Sequence, residues 1–183
     1  MIHDLILASS LAALCCSTQA LAFELHSPGL PAGGTVPAAH VYHGHGCSGG
    51  NRSPALAWSG APALARSFAV TVFDPDARGG AGWWHWLVID IPATTHDLAE
   101  NAGAAGGARL PAGAVQIRSD FGTAAYGGPC PPPGDAPHHY VFTVYALKTA
   151  RLDLPDDASA AAVDAAIRAD AIGMAQFTAR YGR

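Results

Sequence analysis

FDPDARGGAGWWHWLVIDIP, residues 73–92, joins the end of one strand-like run to the start of another through a turn that carries two aspartates. SFAVTVFD (67–74) before it and WHWLVIDI (84–91) within it are of strand length and rich in Val, Ile, Phe and Trp. Tryptophan is costly to leave in water, so WWHW must be largely buried or line a pocket. His85 among those rings either completes a core hydrogen-bond network or works on a ligand. Asp74-Pro75-Asp76 is equally two-sided. The proline fixes the backbone, and the carboxylates either cap nearby N–H groups as Asx-turns do or face a cleft.

Outward from this stretch the same pattern recurs. YVFTVYAL (140–147) is a third strand-like run, and TVPAAHVYH (35–43) is a weaker one. Pro- and Gly-rich punctuation separates them, in NRSPAL, DPDARGGAG, AGAAGGARLPAGA and GGPCPPPGDAP. AGAAGGARLPAGA reads as a low-complexity loop without chemistry. The central runs are continuously apolar rather than alternating, which suits strands covered on both faces, as in a sandwich. The segment 157–183 changes character. It is alanine-rich, Val163, Ile167, Met174 and Phe177 stand at near-helical spacing, and Pro155 to Ser159 supply start signals. The expected fold is therefore mainly β, an antiparallel sandwich with a C-terminal α-helix.

With 183 residues the chain is long enough for one domain with a real core, and 50% apolar against 13% charged residues excludes a disordered chain. The formal charge is −4, and Lys148 is the only lysine, so no basic stripe exists to bind a nucleic-acid backbone. Residues 5–22, LILASSLAALCCSTQALA, form an apolar run ending in Ala20-Leu21-Ala22, an export signal with its cleavage site. The expected organisation is a signal peptide over 1–22 and a single domain over 23–183, in the periplasm or secreted, with no membrane span once the signal is removed. The n-region departs from the usual pattern, since MIHD carries Asp4 and no Lys or Arg. LAALCC departs from a lipoprotein box, because Leu14 precedes Cys15 where a small residue is required. Removal of Cys15 and Cys16 leaves Cys47 and Cys130, which permit one disulfide or two small buried thiols.

Three constellations bear on chemistry. GGPCPPPGDAPHHY (127–140) is a rigid proline loop that delivers His138, His139 and Tyr140 onto a strand. Such a loop has few N–H groups of its own and suits the wall of a shaped pocket. His43, His45 and Cys47 recur every second residue beside His40, so on one strand they would share a face, as zinc or copper ligands can. Two glycines interrupt that strand and no second ligand cluster accompanies it, so no metal is expected. Nucleophilic catalysis has no support either: G-x-S-x-G is absent, and no Gly-rich phosphate loop opens a helix.

The DPD turn, the tryptophan–histidine run and the proline–histidine loop together give a chain that resembles the phosphatidylethanolamine-binding protein family, in particular its bacterial, Raf-kinase-inhibitor-like branch. The resemblance rests on GCSGGNRSPALAWSGAP (46–62), FDPDA (73–77), GWWHW (82–86) and YGGPCPPPGDAPHHY (126–140), in that order, and runs from Phe23 to the final YGR. It implies sandwiched antiparallel sheets with a small anion pocket at one end. In that pocket Asp74 and Asp76 match the aspartates, His85 the histidine of the tryptophan motif, His138 and Tyr140 an H-x-Y pair, and Pro131 and Pro132 a proline wall. Bare carboxylates repel phosphate, so the aspartates are expected to accept N–H bonds from His85 or His138, fixing tautomers and raising histidine pKa. The imidazoles and the Tyr140 hydroxyl would then donate to the anion, with affinity rising as pH falls from about 7.5 to 5.5. Two departures stand out: Arg78 replaces the proline of D-P-D-A-P, and Tyr181 is the expected contribution of the C-terminal segment to pocket closure.

The resulting expectation is an exported ligand-binding protein, not an enzyme, without cofactor. Its partner would be a small anion, phosphate or phosphoethanolamine-like. The alternative is a protein-interaction or inhibitor module of the kinase- or protease-regulating type, in which the pocket is not essential.

Overall fold

The structure, a computed structural model, describes residues 22–183. Residues 1–21 of the expected export signal, Cys15 and Cys16 included, lie outside the described residues. Along the chain come β1 (Glu24–His26), β2 (His43–Gly44), β3 (Cys47–Ser48), β4 (Leu56–Ser59) and β5 (Ser67–Asp74). There follow β6 (Trp83–Pro92), β7 (Asp97–Leu98), β8 (Val115–Gln116), β9 (His138–Leu147), α1 (Ala160–Asp170) and β10 (Ala171–Tyr181).

The three apolar runs become β5, β6 and β9, the centre of a five-stranded sheet of order β10-β9-β5-β6-β8. Every pairing within it is antiparallel. Continuous hydrophobicity is explained by what covers the two faces. On one, Phe68, Val70, Val72, Trp86, Phe142 and Val144 pack against Leu25, Leu56, Trp58 and Leu98 from the three-stranded sheet β1-β4-β7. On the other, Ala69, Leu87, Ile89, Tyr145 and Leu147 meet Ala160, Val163 and Ile167 of α1. Fully burying one such side chain contributes about 1.5–3 kcal/mol. The fold is thus a sandwich of antiparallel sheets with a C-terminal helix on its outer face.

Two local expectations are corrected. The segment 157–183 is not one helix: α1 stops at Asp170 and the chain continues as the eleven-residue strand β10. Ser159 caps α1 by accepting from Ala162 N at 3.2 Å. Beyond Asp170 the inward positions alternate as Ala175, Phe177 and Ala179, while Met174, Gln176 and Arg180 point outward. Pairing with β9 from Ala171 to Tyr181 then satisfies backbone groups that a continued helix would have bonded internally. Met174 and Phe177 are therefore strand residues.

TVPAAHVYH is likewise no strand over most of its length. Ala38–His40 form a 3-10 turn, and only His43 joins the two-residue strand β2. The reason is local: Gly44 and Gly46, with φ of 136° and 81°, fold the chain into the β2–β3 hairpin. His43 and Cys47 thereby lie on opposite strands rather than on one face.

Candidate functional site

At one end of the large sheet lies a cavity of about 360 Å³ lined by all seven residues that the sequence marked: Asp74, Asp76, His85, Pro131, Pro132, His138 and Tyr140. His45, Arg78, Trp83, Phe121, Cys130 and Asp135 complete the polar and aromatic parts of the wall. The sheet explains how residues so far apart in the chain meet. Asp74 is the last residue of β5 and pairs with Trp83, the first of β6. His138 and Tyr140 are two apart on β9, so their side chains leave the same face of that strand.

His85 arrives by a different device. Val72 pairs with Trp86 and Phe73 with Trp84, so His85 is the extra residue of a β-bulge. The bulge sends Trp84 and Trp86 to opposite faces of the sheet, Trp86 into the inner core and Trp84 against the α1 layer. It frees His85 to turn into the cavity. The WWHW run is thus a phase change in the strand as well as a cluster of rings.

Asp74 organises the floor. Its Oδ1 accepts from Asp76 N at 2.9 Å and Ala77 N at 3.1 Å, the Asx-turn reading of the DPD motif. Its Oδ2 accepts from His138 Nδ1 at 2.8 Å. One buried carboxylate therefore both shapes the turn and holds an imidazole. For His138, burial alone would lower the pKa, but the hydrogen bond and charge of Asp74, helped by Asp135, raise it. With Nδ1 committed to Asp74, Nε2 is the free corner of the ring. Asp135 Oδ2, half exposed to solvent, stands 3.5 Å from it.

The other expected pairings are redistributed. Asp76 makes no hydrogen bond to His85 or His138; its Oδ2 accepts from His139 N at 2.7 Å and His139 Nδ1 at 2.9 Å. Burial pushes the Asp76 pKa up, but the bonds from His139 outweigh this and the net shift is downward. Nor does an aspartate raise His85. His85 Nδ1 donates to Gly127 O at 2.7 Å, and its Nε2 is 4.0 Å from Asp74 Oδ2, beyond hydrogen-bond reach. Burial lowers its pKa, and the opposing pull of the Gly127 carbonyl and the Asp74 charge does not overcome it. His85 is a buried ring wedged edge-on against Phe121 and Tyr140, with centroids 5.3 and 5.2 Å away.

Tyr140 is 1% exposed, and its hydroxyl makes no hydrogen bond among the described residues. Burial and the nearby Asp74 charge push its pKa well up, so the hydroxyl keeps its proton and can donate. Arg78, the residue standing in place of the expected proline, has a left-handed backbone (φ 53°) next to Gly79 (φ 67°). Its guanidinium lies over the Trp83 ring, 4.8 Å from the centroid, at the cavity wall.

The loops that bear the wall are tied from outside. Cys47 and Cys130 form a disulfide with Cα atoms 6.0 Å apart, joining the β2–β3 hairpin to the proline loop. Arg183 donates from Nε to Pro131 O at 2.7 Å and from Nη1 to Gly46 O at 2.8 Å, clasping the same two segments. Tyr181 is not part of the cavity lining; the C-terminal contribution comes through Arg183 instead. Gly128 sits where a Cβ would fall 2.1 Å from His40 O, and Asn51 Oδ1 accepts from its N–H at 2.8 Å. That contact explains the GCSGGN stretch as the buttress behind the proline loop.

The histidine–cysteine cluster does not assemble. His40 Nδ1 is bonded to Arg52 O at 2.8 Å, His45 stacks on Tyr42, and Cys47 is bridged. Among the described residues no group of three or more His, Cys, Asp or Glu side chains is placed to hold a metal ion. No helix among them is long and apolar enough to cross a membrane. Phe121, Asp135 and Arg183 are the neighbours of the site that sequence reasoning missed, and His139, seen on the strand, had no partner assigned. Only Asp135 had a signal, as the acidic residue of the proline loop.

A family model described as phosphatidylethanolamine-binding protein matches residues 26–182. YbcL of Escherichia coli K12 is 49% identical over 177 residues, covering 97% of each chain. YbhB of the same organism is 42% identical over 86% of this chain and 99% of its own. A Mycobacterium tuberculosis protein carrying the name lipoprotein LppC is 38% identical over 74% of this chain and 62% of its own length. The crystal structure of E. coli YbcL, described there as a new member of the mammalian PEBP family, superposes with a TM-score of 0.86 at 48% identity. It covers 89% of this chain and 99% of that one.

Proposed function

The chain belongs to the phosphatidylethanolamine-binding protein family, and on that premise we propose that it is an exported binding protein, periplasmic or secreted, whose cavity takes a small anion of the phosphate or phosphorylated head-group type. One observation carries the reading. Among the described residues the Tyr140 hydroxyl is buried without a partner, and it faces the same cavity as a histidine whose charged form Asp74 favours. A buried hydroxyl left unpaired is destabilising, and a ligand oxygen would remove that penalty. His138 supplies the second donor through Nε2, the anion displacing the half-exposed Asp135 from its 3.5 Å approach. The proline and aromatic walls keep the site dry, which strengthens both bonds.

Binding rather than catalysis is the proposed activity. Among the described residues the cavity wall contains no Ser, Thr or Lys, and Cys130 is tied up in the disulfide. Export is supported by the apolar N-terminal run, the disulfide, and the lipoprotein name of one relative.

The test is a thermal-shift series on the protein from Phe23 onward with inorganic phosphate, O-phosphoethanolamine, acetate and nucleotides, beside His138→Ala. Stabilisation by the phosphorylated compounds, lost in the variant, is expected. No shift with any anion would turn attention to the protein-interaction reading. Turnover of p-nitrophenyl phosphate would refute the non-catalytic one.

Affinity should also depend on pH with a definite sign. The pKa of His138 lies above its ordinary 6.5, so the charged donor is lost as pH rises through that raised value. Binding measured by calorimetry should weaken over that window. A flat profile above pH 6.5 would remove His138 as the charged donor.

A further inference from the structure

The donors and acceptors that face the cavity are not all of one kind, and this bears on the form of the ligand. A backbone carbonyl can only accept, so the 2.7 Å contact from His85 Nδ1 to Gly127 O places the ring proton on Nδ1. Gly127 N in turn donates to His85 O at 2.9 Å, so loop and strand hold each other in register and the ring cannot flip without losing its bond. Nε2 of the neutral ring is then a bare lone pair. Its nearest charged neighbour, Asp74 Oδ2, is 4.0 Å away and is itself only an acceptor.

Besides the Gly127 and Gly128 backbone, the groups around this imidazole are few. Asp74 faces it from β5, Asp120 lies on the adjoining loop beside Phe121, and Tyr140 approaches from β9 two residues beyond His138. The Asp120 carboxylate is occupied with Trp84 N at 2.8 Å. The carboxylates favour the charged ring, yet burial prevails and lowers its pKa. No donor among the described residues reaches Nε2. Across the cavity the polarity is opposite: His138 Nε2–H and the Tyr140 O–H, unpartnered among the described residues, are both donors.

An anion that only accepts would satisfy His138 and Tyr140 and leave His85 Nε2 facing an oxygen lone pair. We propose that the cavity selects a phosphomonoester in its monoanionic form, whose ionised oxygens accept from His138 and Tyr140 while its own P–O–H donates to His85 Nε2. The proposal rests on the anion-binding reading above and narrows it, because a phosphodiester, such as an intact phospholipid head group, carries no such proton. Inorganic phosphate as the dihydrogen anion shares the required chemistry.

Methyl phosphate and dimethyl phosphate isolate this difference. At pH 5.5 both carry close to one negative charge, since the second pKa of a phosphomonoester is about 6. They differ in the presence of one O–H. NMR titration of the protein from Phe23 onward should show methyl phosphate binding at least about tenfold more tightly. O-phosphoethanolamine and glycerophosphoethanolamine, run beside them, should rank in the same order if a free phosphomonoester rather than a lipid head group is the natural ligand. Calorimetry at pH 7.5 in two buffers should show close to one additional proton taken up with methyl phosphate than with dimethyl phosphate. In His85→Asn, whose amide can still donate to Gly127 O but offers nothing at the Nε2 position, the ratio between the two esters should fall towards one. If that variant fails to fold, the wild-type comparison decides alone. A diester that binds as well as the monoester overturns the proton-donor requirement and leaves the anion pocket standing. Failure of both esters and of phosphate to bind overturns the pocket reading itself, and this inference with it.

Discussion

Replacement of Asp74 by alanine should cost the protein about 3–5 kcal/mol and abolish anion binding. The carboxylate is almost fully buried and accepts three hydrogen bonds, from Asp76 N, Ala77 N and His138 Nδ1. Its removal orphans two turn N–H groups and leaves a buried imidazole without its anion. For a domain of this size the midpoint of thermal unfolding should fall on the order of 10 °C. Asp74→Asn keeps an oxygen for the turn and should lose much less stability, but it loses the charge that holds His138 protonated. The pH dependence separates the two roles. A folded-state pKa raised above 6.5, as for His138, contributes stability that is complete below 6.5 and is lost as pH rises through the raised value. Both variants should lose that part of the pH profile, which denaturation at a series of pH values would reveal. An unchanged profile in Asp74→Asn would mean that some other group keeps His138 charged.

The second large effect is expected from the disulfide. Cys47 and Cys130 are separated by 83 residues, so the bridge restricts a long loop in the unfolded chain. The double replacement Cys47→Ser, Cys130→Ser should lower stability by about 2–4 kcal/mol in urea unfolding of the oxidised protein. It should also weaken anion binding, because Cys130 is in the cavity wall and His45, in the bridged hairpin, lines the same space. The clasp by Arg183 on Pro131 O and Gly46 O remains, so the wall should loosen rather than open. Equal urea midpoints for the two proteins would show that this clasp and the packing behind Gly128 suffice without the bridge.

What could be read in the sequence, and what could not, divides along the range of the interactions involved. SFAVTVFD becomes β5 residue for residue, and the other two apolar runs extend by only one or two positions. Strands covered on both faces announce themselves by composition alone. The seven cavity residues were legible because three short motifs carried them. The end of α1 was not. Alanine is the best helix former, and as the inward residue at 175 and 179 it hides the two-residue alternation that marks β10. Only the long-range pairing with β9 decides for strand.

The electrostatic assignments were legible only in part, the Asp74–His138 pair among them, for a similar reason. That Asp74 would hold a histidine followed from the chemistry of a carboxylate in an anion pocket. Which histidine, and that His85 would instead spend its proton on a carbonyl 42 residues away, depends on a loop whose course no local signal gives. The pairing of Asp76 with His139 shows the same limit. His138 and His139 are adjacent, and strand alternation sends one to the cavity and the other to the rim. The hairpin that separates His43 from Cys47 was visible only as two glycines.

The most direct measurement is a crystal structure of the protein from Phe23 onward, soaked with methyl phosphate at pH 5.5. The phosphoryl group should appear in the cavity, with ionised oxygens within hydrogen-bond distance of His138 Nε2 and Tyr140 Oη and Asp135 turned towards solvent. Electron density for solvent alone in the cavity at saturating ligand, or phosphate bound elsewhere with Tyr140 Oη still unpartnered, would contradict the account.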